Sequence, residues 1–140
     1  MAAPGVLTDT SVIIDFLRKR DKRNSALWRI RESHVCFMSS VTLFEWQCGA
    51  VTERHSEDIG KLAKWIGTIP FDDEIAGISS IIYRRLKREH TLIEFRDIFI
   101  AATAIAENLC LATLNTKHFK RIEEIDLLEI QSAENKNVRL

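Results

Sequence analysis

The chain has 140 residues, of which 46% are apolar and 29% are charged, as expected of one globular domain. Its 20 basic and 20 acidic side chains cancel, so the composition excludes intrinsic disorder and a global attraction to polyanions. Any polyanion would have to bind to a local patch of positive charge. No stretch approaches the ~18 apolar residues of a membrane span, and the first residues lack the basic and apolar regions of a signal peptide.

Apolar periodicity predicts strands that alternate with helices along the chain. In chain order, we expect a strand at 5–8, helices at 10–18 and 25–31, a strand at 35–38, a helix at 41–51, a helix that Ser56 caps and that reaches 66, helices at 72–88 and 97–107, and strands at 109–113 and 127–130. This alternation is typical of a parallel sheet covered by helices on both faces. The sequence therefore predicts the α/β class.

The chain offers no linker at which to divide it, since it has five glycines and two prolines. We expect a single domain at 1–131, followed by a flexible tail at 132–140 in which the apolar periodicity is lost.

The three cysteines, Cys36, Cys48 and Cys110, are odd in number and lack CxxC spacing. Reduced, buried thiols are therefore expected, which indicates a cytoplasmic protein.

Four polar side chains follow predicted strands on the side where parallel sheets place their ligand sites. Asp9 comes directly after the first strand, and Asn115 follows the strand that ends at 113. Glu45 lies one to two turns into the helix after the second strand, and Asp97 opens an apolar helix. Helix capping is an alternative role for Asp9, Asp97 and Asn115, and a capping box with Thr42 is one for Glu45. Taken singly, these positions leave both roles open.

Capping explains the position of Glu45 least well. Helical spacing places this carboxylate on or beside the stripe of apolar residues that its helix would turn toward the core. That predicted stripe consists of Val41, Phe44, Cys48 and Val51. A buried carboxylate needs a cation or hydrogen-bond donors, and several at one crevice repel one another unless a divalent cation lies between them. Oxygen ligands without a His or Cys cluster favour Mg²⁺ or Mn²⁺ over Zn²⁺, and such sites commonly serve phosphoryl chemistry.

Four segments, taken in order, carry a resemblance to a known family. They are TDTS at 8–11, SVTLFE at 40–45, DIFIAA at 97–102 and LATLNTKHF at 111–119. Together they resemble the PIN-domain ribonucleases, specifically the VapC toxins of type II toxin–antitoxin systems, over nearly the whole chain. The resemblance implies a PIN-like parallel sheet flanked by helices on both faces and a metal-dependent endoribonuclease that hydrolyses RNA phosphodiester bonds.

By this resemblance, Asp9, Glu45 and Asp97 form the acidic site that holds Mg²⁺ or Mn²⁺, with Glu45 bound directly or through water. Asn115 completes the catalytic set at a position where some family members have Asp and others Asn. A neutral residue there leaves a less acidic site, which argues against tight binding of a second metal. The implied reaction needs no covalent nucleophile, and the sequence shows no Ser-His-Asp or Cys-His pairing.

The resemblance also implies supporting residues and partners. Ser11 and Thr113 match hydroxyl positions near the site, and Glu94 is either an extra carboxylate of the site or a solvated loop residue. His118 is expected to pack beside Phe119 rather than to act in catalysis. The implied partners are the RNA substrate, a second copy of the chain in a homodimer, and a cognate antitoxin whose peptide lies along a groove of the toxin.

Basic residues form three clusters with different expected roles. The cluster at 84–88 ends a predicted helix and matches its dipole, whereas the cluster at 18–23 serves either a helix end or RNA. The predicted contacts to RNA phosphates border Asn115 and are Lys117, Lys120 and Arg121. Core packing is the ordinary role for the three tryptophans, including Trp46. Trp46 is expected to point away from the site stripe, and at the surface it would suit a partner groove or a dimer contact.

Three alternatives to a nuclease remain open. A PIN fold that binds RNA or protein with weak or no catalysis is disfavoured by the intact set of carboxylates, which would burden stability if unused. A phosphatase of the haloacid dehalogenase kind needs a second Asp shortly after Asp9, where Ser11 stands. A receiver-like domain needs an acidic pair after the first strand, where Asp9 and Thr10 supply a single acid.

Overall fold

Four strands form one parallel sheet within the residues that the structure, a computed structural model, describes: 3–49 and 53–130. They are β1 (Gly5–Thr8), β2 (Val35–Ser39), β3 (Gly67–Ile69) and β4 (Cys110–Ala112), in the spatial order β3-β2-β1-β4. Because every pairing is parallel, the carboxyl ends of the strands lie at one edge of the sheet. The segments that follow β1 and β4 therefore meet at that edge.

Helices connect the strands and flank the sheet. They are α1 (Thr10–Arg18), α2 (Ala26–Arg31), α3 (Ser40–Gly49), α4 (Glu53–Leu62), α5 (Asp73–Arg88), α6 (Phe95–Ala106) and α7 (Thr116–Phe119), with a short 3-10 helix at Lys22–Asn24. The predicted bounds of α1 are confirmed, and α2 and α5 begin one residue later than predicted because Ser25 and Asp72 cap them. None of the helices in the described ranges is long and apolar enough to cross a membrane.

The sheet has a hydrophobic core on each face, which confirms the predicted α/β architecture. Val6 and Met38 pack with α1, α2 and α4 on one face, and Leu7 and Leu111 pack with α5 and α6 on the other. Neighbouring residues of β1 thus enter opposite cores, because successive side chains of a strand alternate between the two faces.

Several predicted elements differ from the structure. Of the strand expected at 127–130, Leu127 forms one isolated parallel bridge to Leu111. β3 is absent from the prediction, because a strand of three residues that includes a glycine carries no readable alternation. Ser56 does not cap a helix but lies inside α4, which begins earlier. The tail expected at 132–140 lies outside the described residues.

The buried face of α3 differs from the predicted stripe. Phe44 is 64% exposed and Cys48 is exposed, whereas Thr42 and Trp46 are buried. Val51 lies outside the described residues. The face that turns inward is set by tertiary packing, because α3 follows β2 with no intervening loop and its entry angle comes from that strand. Trp46 therefore packs in the core, and its alternative role at the surface is wrong.

The cysteines are unpaired, but they are not all buried. Cys36 is buried and Cys110 partly buried, whereas Cys48 is exposed, so the expectation of a buried thiol is wrong there. Burial raises the pKa of Cys36 to about 11, which keeps this thiol protonated and unreactive at neutral pH.

Gly67 of β3 lies against the ring of Phe37, and a Cβ added there would lie 2.8 Å from the Cδ1 atom of that ring. Gly67→Ala is expected to lower the free energy of unfolding by about 1–3 kcal/mol, the usual effect of overpacking. Gly77→Ala is the matched control, because nothing lies within 4 Å of its added Cβ. It should stabilise α5 by up to about 1 kcal/mol. Urea titrations measure both variants, and a Gly67→Ala protein as stable as the wild type would contradict the prediction.

Candidate active site

Asp9 is held in place at the end of the sheet. It directly follows β1, and its backbone N–H donates to the carbonyl of Ala112 in β4 at 2.9 Å. The residue is 4% exposed, and its Oδ2 accepts hydrogen bonds from the hydroxyls of Ser11 at 2.9 Å and Thr113 at 2.7 Å. Asp9 occupies the N-cap position of α1, but its side chain makes no capping bond, so that alternative is wrong. No ion pair of the described residues includes Asp9.

Ser11 and Thr113 also fix the loop that follows β4. The N–H of Leu114 donates to Ser11 Oγ at 2.9 Å, and the N–H of Asn115 donates to Thr113 Oγ1 at 3.0 Å. The two hydroxyls thereby connect the carboxylate of Asp9 to the loop that carries Asn115. Asn115 is exposed and stands at the N-cap of α7 without a side-chain capping bond, so capping does not account for it either.

Asp97 lies in the first turn of α6 and is 4% exposed. Glu94 occupies the N-cap position of this helix, so the capping alternative for Asp97 is wrong. His118 Nδ1 lies 3.0 Å from Asp97 Oδ2 and donates to it, because an ionised carboxylate only accepts. The amide nitrogen of Asn115 lies 3.3 Å from the same Nδ1. α7 therefore brings the ring of His118 to the site, a contact that the expected packing beside Phe119 does not include.

The two buried carboxylates influence each other. Burial raises the pKa of Asp97, and the negative charge of Asp9 raises it further. The hydrogen bond from His118 and the charge of Arg96 lower the pKa of Asp97 but do not cancel the effect of burial. Asp9 and Asp97 therefore lie close enough to repel each other, and a cation between them would stabilise both in the ionised form.

Glu45 reaches the same site from α3, where it is half-buried. Its Oε1 accepts from the hydroxyl of Thr10 at 3.0 Å, and its Oε2 accepts from Arg96 Nη1 at 2.7 Å. Because α3 begins at Ser40, Thr42 lies inside the helix and the proposed capping box is wrong. The carboxylate is instead held between α1 and α6, which carry its two partners.

Arg96 is a cation of the site that the sequence-based set of residues omits. Its Nη2 donates to Glu94 Oε2 at 2.8 Å, and its Nε lies 3.8 Å from Asp97 Oδ1. The hydrogen bond to Glu45 is the main cause that raises the pKa of Arg96. Glu94 is thus an exposed carboxylate at the rim of the site, paired with this guanidinium. The sequence offers one signal for such a role of Arg96, which is a basic residue between the acidic Glu94 and Asp97 at the start of a helix.

A cavity of about 590 Å³ opens beside the acidic residues. Thr10, Glu45 and Arg96 belong both to its wall and to the site. The rest of the wall includes apolar and cationic side chains, namely Ile14, Leu17, Trp46, Ile59, Arg18, Lys19, Arg20 and Arg54. The site therefore adjoins a groove with apolar and cationic walls.

The basic clusters have different surroundings. Lys22 donates to two carbonyls at the end of α1, whereas residues 18–20 line the cavity. Among the predicted RNA contacts, Arg121 donates to two backbone carbonyls of the loop before α6, each at 3.3 Å. Lys117 and Lys120 are exposed. The cluster at 18–23 therefore divides between capping a helix and lining the groove.

The donor set fits a hard divalent cation, although the ligands are not fully assembled. In residues 3–49 and 53–130, no three His, Cys, Asp or Glu side chains form a ready-made metal-binding group. Asp9 and Asp97 supply buried carboxylate oxygens with excess negative charge, which suit Mg²⁺ or Mn²⁺. Glu45 would join them as a third ligand if its carboxylate exchanged the hydrogen bond from Arg96 for a bond to the cation.

Comparisons with known proteins identify the family of the chain. Residues 6–125 match the PIN domain family. The chain is 37% identical over 123 residues to Ribonuclease VapC1 of Methanocaldococcus jannaschii, and the alignment covers 87% of this chain and 84% of that protein. It is 31% identical over 133 residues to Ribonuclease VapC of Rickettsia bellii, with 90% of this chain and 96% of that protein covered.

Solved structures share the fold. VapBC2 from Rickettsia felis, bound to a DNA fragment from its promoter, has a TM-score of 0.79 at 23% identity, over 90% of this chain and 98% of that chain. A toxin-antitoxin complex from Klebsiella pneumoniae has a TM-score of 0.73 at 23% identity, over 91% and 99%. Mycobacterium tuberculosis VapC20, described as a Sarcin-Ricin loop cleaving toxin, has a TM-score of 0.66 at 15% identity, over 91% and 99%. At these identities, the similarity establishes the fold.

In EDTA, Asp97→Asn is expected to raise the free energy of unfolding at neutral pH, because it removes a buried charge that repels Asp9. Folding raises the pKa of Asp97, so the folded protein holds this proton more tightly than the unfolded chain does. The stability that the wild-type group contributes is therefore present at low pH and is lost as the pH rises through its folded pKa. The advantage of the variant should shrink towards about pH 4, near the ordinary pKa of Asp.

Urea titrations at several pH values measure this difference. Asp73→Asn, at an exposed position in the first turn of α5, is the matched control and should show no such gain. An Asp97→Asn protein less stable than the wild type at neutral pH would count against the repulsion between the two carboxylates.

Proposed function

The chain belongs to the PIN-domain family and, within it, to the VapC ribonucleases, and from that premise we propose that it is the endoribonuclease toxin of a toxin–antitoxin pair, aided by Mg²⁺ or Mn²⁺. The observation that carries the proposal is the pair of buried carboxylates, Asp9 and Asp97, at the carboxyl edge of the sheet. A divalent cation would supply positive charge to both carboxylates, whereas Arg96 lies near Asp97 and no ion pair of the described residues includes Asp9. RNA phosphodiesters are the substrate class that fits such a cation and the ribonuclease relatives.

The proposed catalytic roles follow from the contacts. Asp9 and Asp97 would hold the cation, which when bound polarises the phosphate and lowers the pKa of the attacking water. Glu45 would join them directly or through water, and either Glu45 or Asp97 would orient the attacking water. Asn115 would position a water or a phosphate oxygen at the open side of the site.

The neighbouring residues support this set. Ser11 and Thr113 would keep the Asp9 carboxylate oriented, since each hydroxyl donates to the same oxygen. His118 would do the same for Asp97 through its Nδ1–H. Such partners of ligands commonly affect metal affinity or activity by about 10–100-fold.

RNA would extend beyond the acidic residues along cationic surface. Lys117 and Lys120 are exposed next to Asn115 and are proposed to contact phosphates. The role of Arg121 in such contacts would be smaller, because its Nη1 is engaged by backbone carbonyls.

A cognate antitoxin is the proposed protein partner. Solved structures with this fold include a toxin-antitoxin complex, and the cavity next to Glu45 offers both apolar and cationic walls. A peptide with apolar and acidic side chains would match those walls and would block access to the site.

The unpaired cysteines support a cytoplasmic location, where thiols stay reduced.

Purified protein free of antitoxin is expected to cut total cellular RNA into discrete fragments in Mg²⁺ or Mn²⁺ and to leave it intact in EDTA. Asp97→Asn should lower the cleavage rate at least about 100-fold, because even residues that only orient metal ligands contribute about 10–100-fold. Gel electrophoresis of the RNA over time measures both effects.

Asp73→Asn is again the matched control and should cleave like the wild type, since this carboxylate is exposed on α5. Fragments that survive Asp97→Asn would indicate a contaminating nuclease or a wrong site. If the folded protein cuts no RNA with either metal, the PIN fold that only binds RNA or protein becomes the better interpretation.

We also propose that the chain forms a homodimer, which an aromatic surface on α5 and α6 supports. The ring of Phe95, a residue 61% exposed, lies 5.6 Å from that of Tyr83 and 6.4 Å from that of Phe99, between centroids. Phe71 packs against Phe99 at 4.9 Å. These rings line an apolar cavity of about 290 Å³. Exposed aromatic clusters of this kind are typical of protein interfaces.

Phe95→Ser is expected to convert the dimer to a monomer, because it removes the most exposed ring of this surface. Light scattering after size-exclusion chromatography measures the mass. Val35→Thr changes an exposed apolar residue of β2 outside the aromatic surface and should leave the dimer intact. A monomeric wild type would contradict the homodimer, and a dimeric Phe95→Ser protein would contradict this choice of surface.

A further inference from the structure

Arg96 is a cation inside an acidic cluster, and it faces the cavity beside the site. Its side chain is 44% exposed and lines the cavity together with Thr10 and Glu45. Two carboxylates hold the guanidinium, since Nη1 donates to Glu45 at 2.7 Å and Nη2 donates to Glu94 at 2.8 Å. A side chain fixed in this way loses little further conformational freedom when it binds a ligand.

The guanidinium keeps donors for another acceptor. Its bonds to Glu45 and Glu94 use one N–H of each terminal nitrogen, and Nε lies 3.8 Å from Asp97 Oδ1, beyond hydrogen-bond distance. The other N–H groups make no hydrogen bond to the residues that the structure describes. A planar guanidinium matches two oxygens of one phosphate, which gives it more geometric selectivity than an ammonium group.

Glu94 is placed to position this guanidinium. It stands at the N-cap of α6 but makes no side-chain capping bond, so helix capping does not explain its conformation. Its carboxylate is 65% exposed, at the rim, and it accepts from Nη2 of Arg96, whereas Glu45 accepts from Nη1. Glu94 would therefore keep Arg96 at the site even when Glu45 turns to a metal ion.

We propose that Arg96 donates hydrogen bonds to a phosphate group of the RNA substrate, and that Glu94 is its positioning residue. The proposal rests on the ribonuclease function argued above and adds a substrate-binding residue to that site. Because Arg96 Nε lies 3.8 Å from Asp97 Oδ1, the phosphate that Arg96 contacts would be the scissile group or one next to it. A competing role is simple neutralisation, in which Arg96 offsets the negative charge of Glu45 and Glu94 without touching RNA.

Equilibrium binding of a fluorescent, mixed-sequence single-stranded RNA separates these roles. Anisotropy is measured in EDTA at several salt concentrations. Every protein carries Asp97→Asn, which prevents cleavage of the RNA and removes one negative charge that would repel its phosphates. Arg96→Gln should bind RNA about tenfold more weakly, as expected for one charged hydrogen bond. The slope of log affinity against log salt should fall by about 0.7 for the lost phosphate contact. Arg96→Lys should have the same salt slope as the parent, because it keeps the charge. Its affinity should lie between those of the parent and of Arg96→Gln, because it loses the planar geometry.

The double variant Arg96→Gln/Glu94→Gln gives the sharpest comparison, because it removes one positive and one negative charge. If Arg96 binds phosphate, the double variant stays as weak as Arg96→Gln. If Arg96 only neutralises its neighbours, the double variant recovers the affinity of the parent, and the proposal is overturned. Arg88→Gln, an exposed position at the end of α5, is the matched control and should bind RNA like the parent.

The same experiment distinguishes failure of this inference from failure of the ribonuclease function. A parent protein that binds RNA tightly while Arg96→Gln is unchanged would overturn the role of Arg96 alone. A folded parent that binds no RNA at any salt concentration would overturn both.

Discussion

Two carboxylates, Asp9 and Asp97, are buried together at the carboxyl edge of the sheet, and the charges around them are arranged to tolerate this. Hydroxyls from Ser11 and Thr113 donate to one carboxylate, and the imidazole of His118 donates to the other. These donors reduce the penalty of burial but add no fixed positive charge between the two groups. The remaining repulsion would make the binding of a divalent cation at the proposed site favourable.

Glu45 has a different environment, and that difference bears on how the site would load a metal. Its carboxylate is half-buried, lies between α1 and α6, and is already balanced by Arg96. In the proposed metal site, Asp9 and Asp97 would form the permanent part, whereas Glu45 would exchange between a guanidinium and a cation. The guanidinium would stay close in either state, because its Nη2 also donates to Glu94.

The parallel sheet brings these groups together from distant parts of the chain. β1 and β4 are neighbours, so Asp9 and the loop with Asn115 meet although they are about a hundred residues apart in sequence. α3 leaves β2 without a loop, and this places Glu45 over the same edge. The groove with basic and apolar walls begins beside Glu45, between residues of α1, α3 and α6.

The sequence by itself was enough to predict the α/β class, most of the helices, and the acidic residues at the strand ends. Local signals suffice there, because apolar periodicity reports burial and the order of strands and helices implies a parallel sheet. The four motifs identified the family, which the comparisons confirm. What the sequence could not decide was which side of a short element faces the core, as α3 and β3 show.

Tertiary structure alone decided the electrostatic partners of the site. His118 was expected to pack, yet α7 turns its ring to Asp97, and Arg96 had no predicted role although it contacts Glu45 and Glu94. Trp46 is buried because the orientation of α3 comes from its junction with β2. The physical reason is common to all three: the contacts and the burial of a side chain depend on how separate elements pack, and neither composition nor local periodicity contains that information.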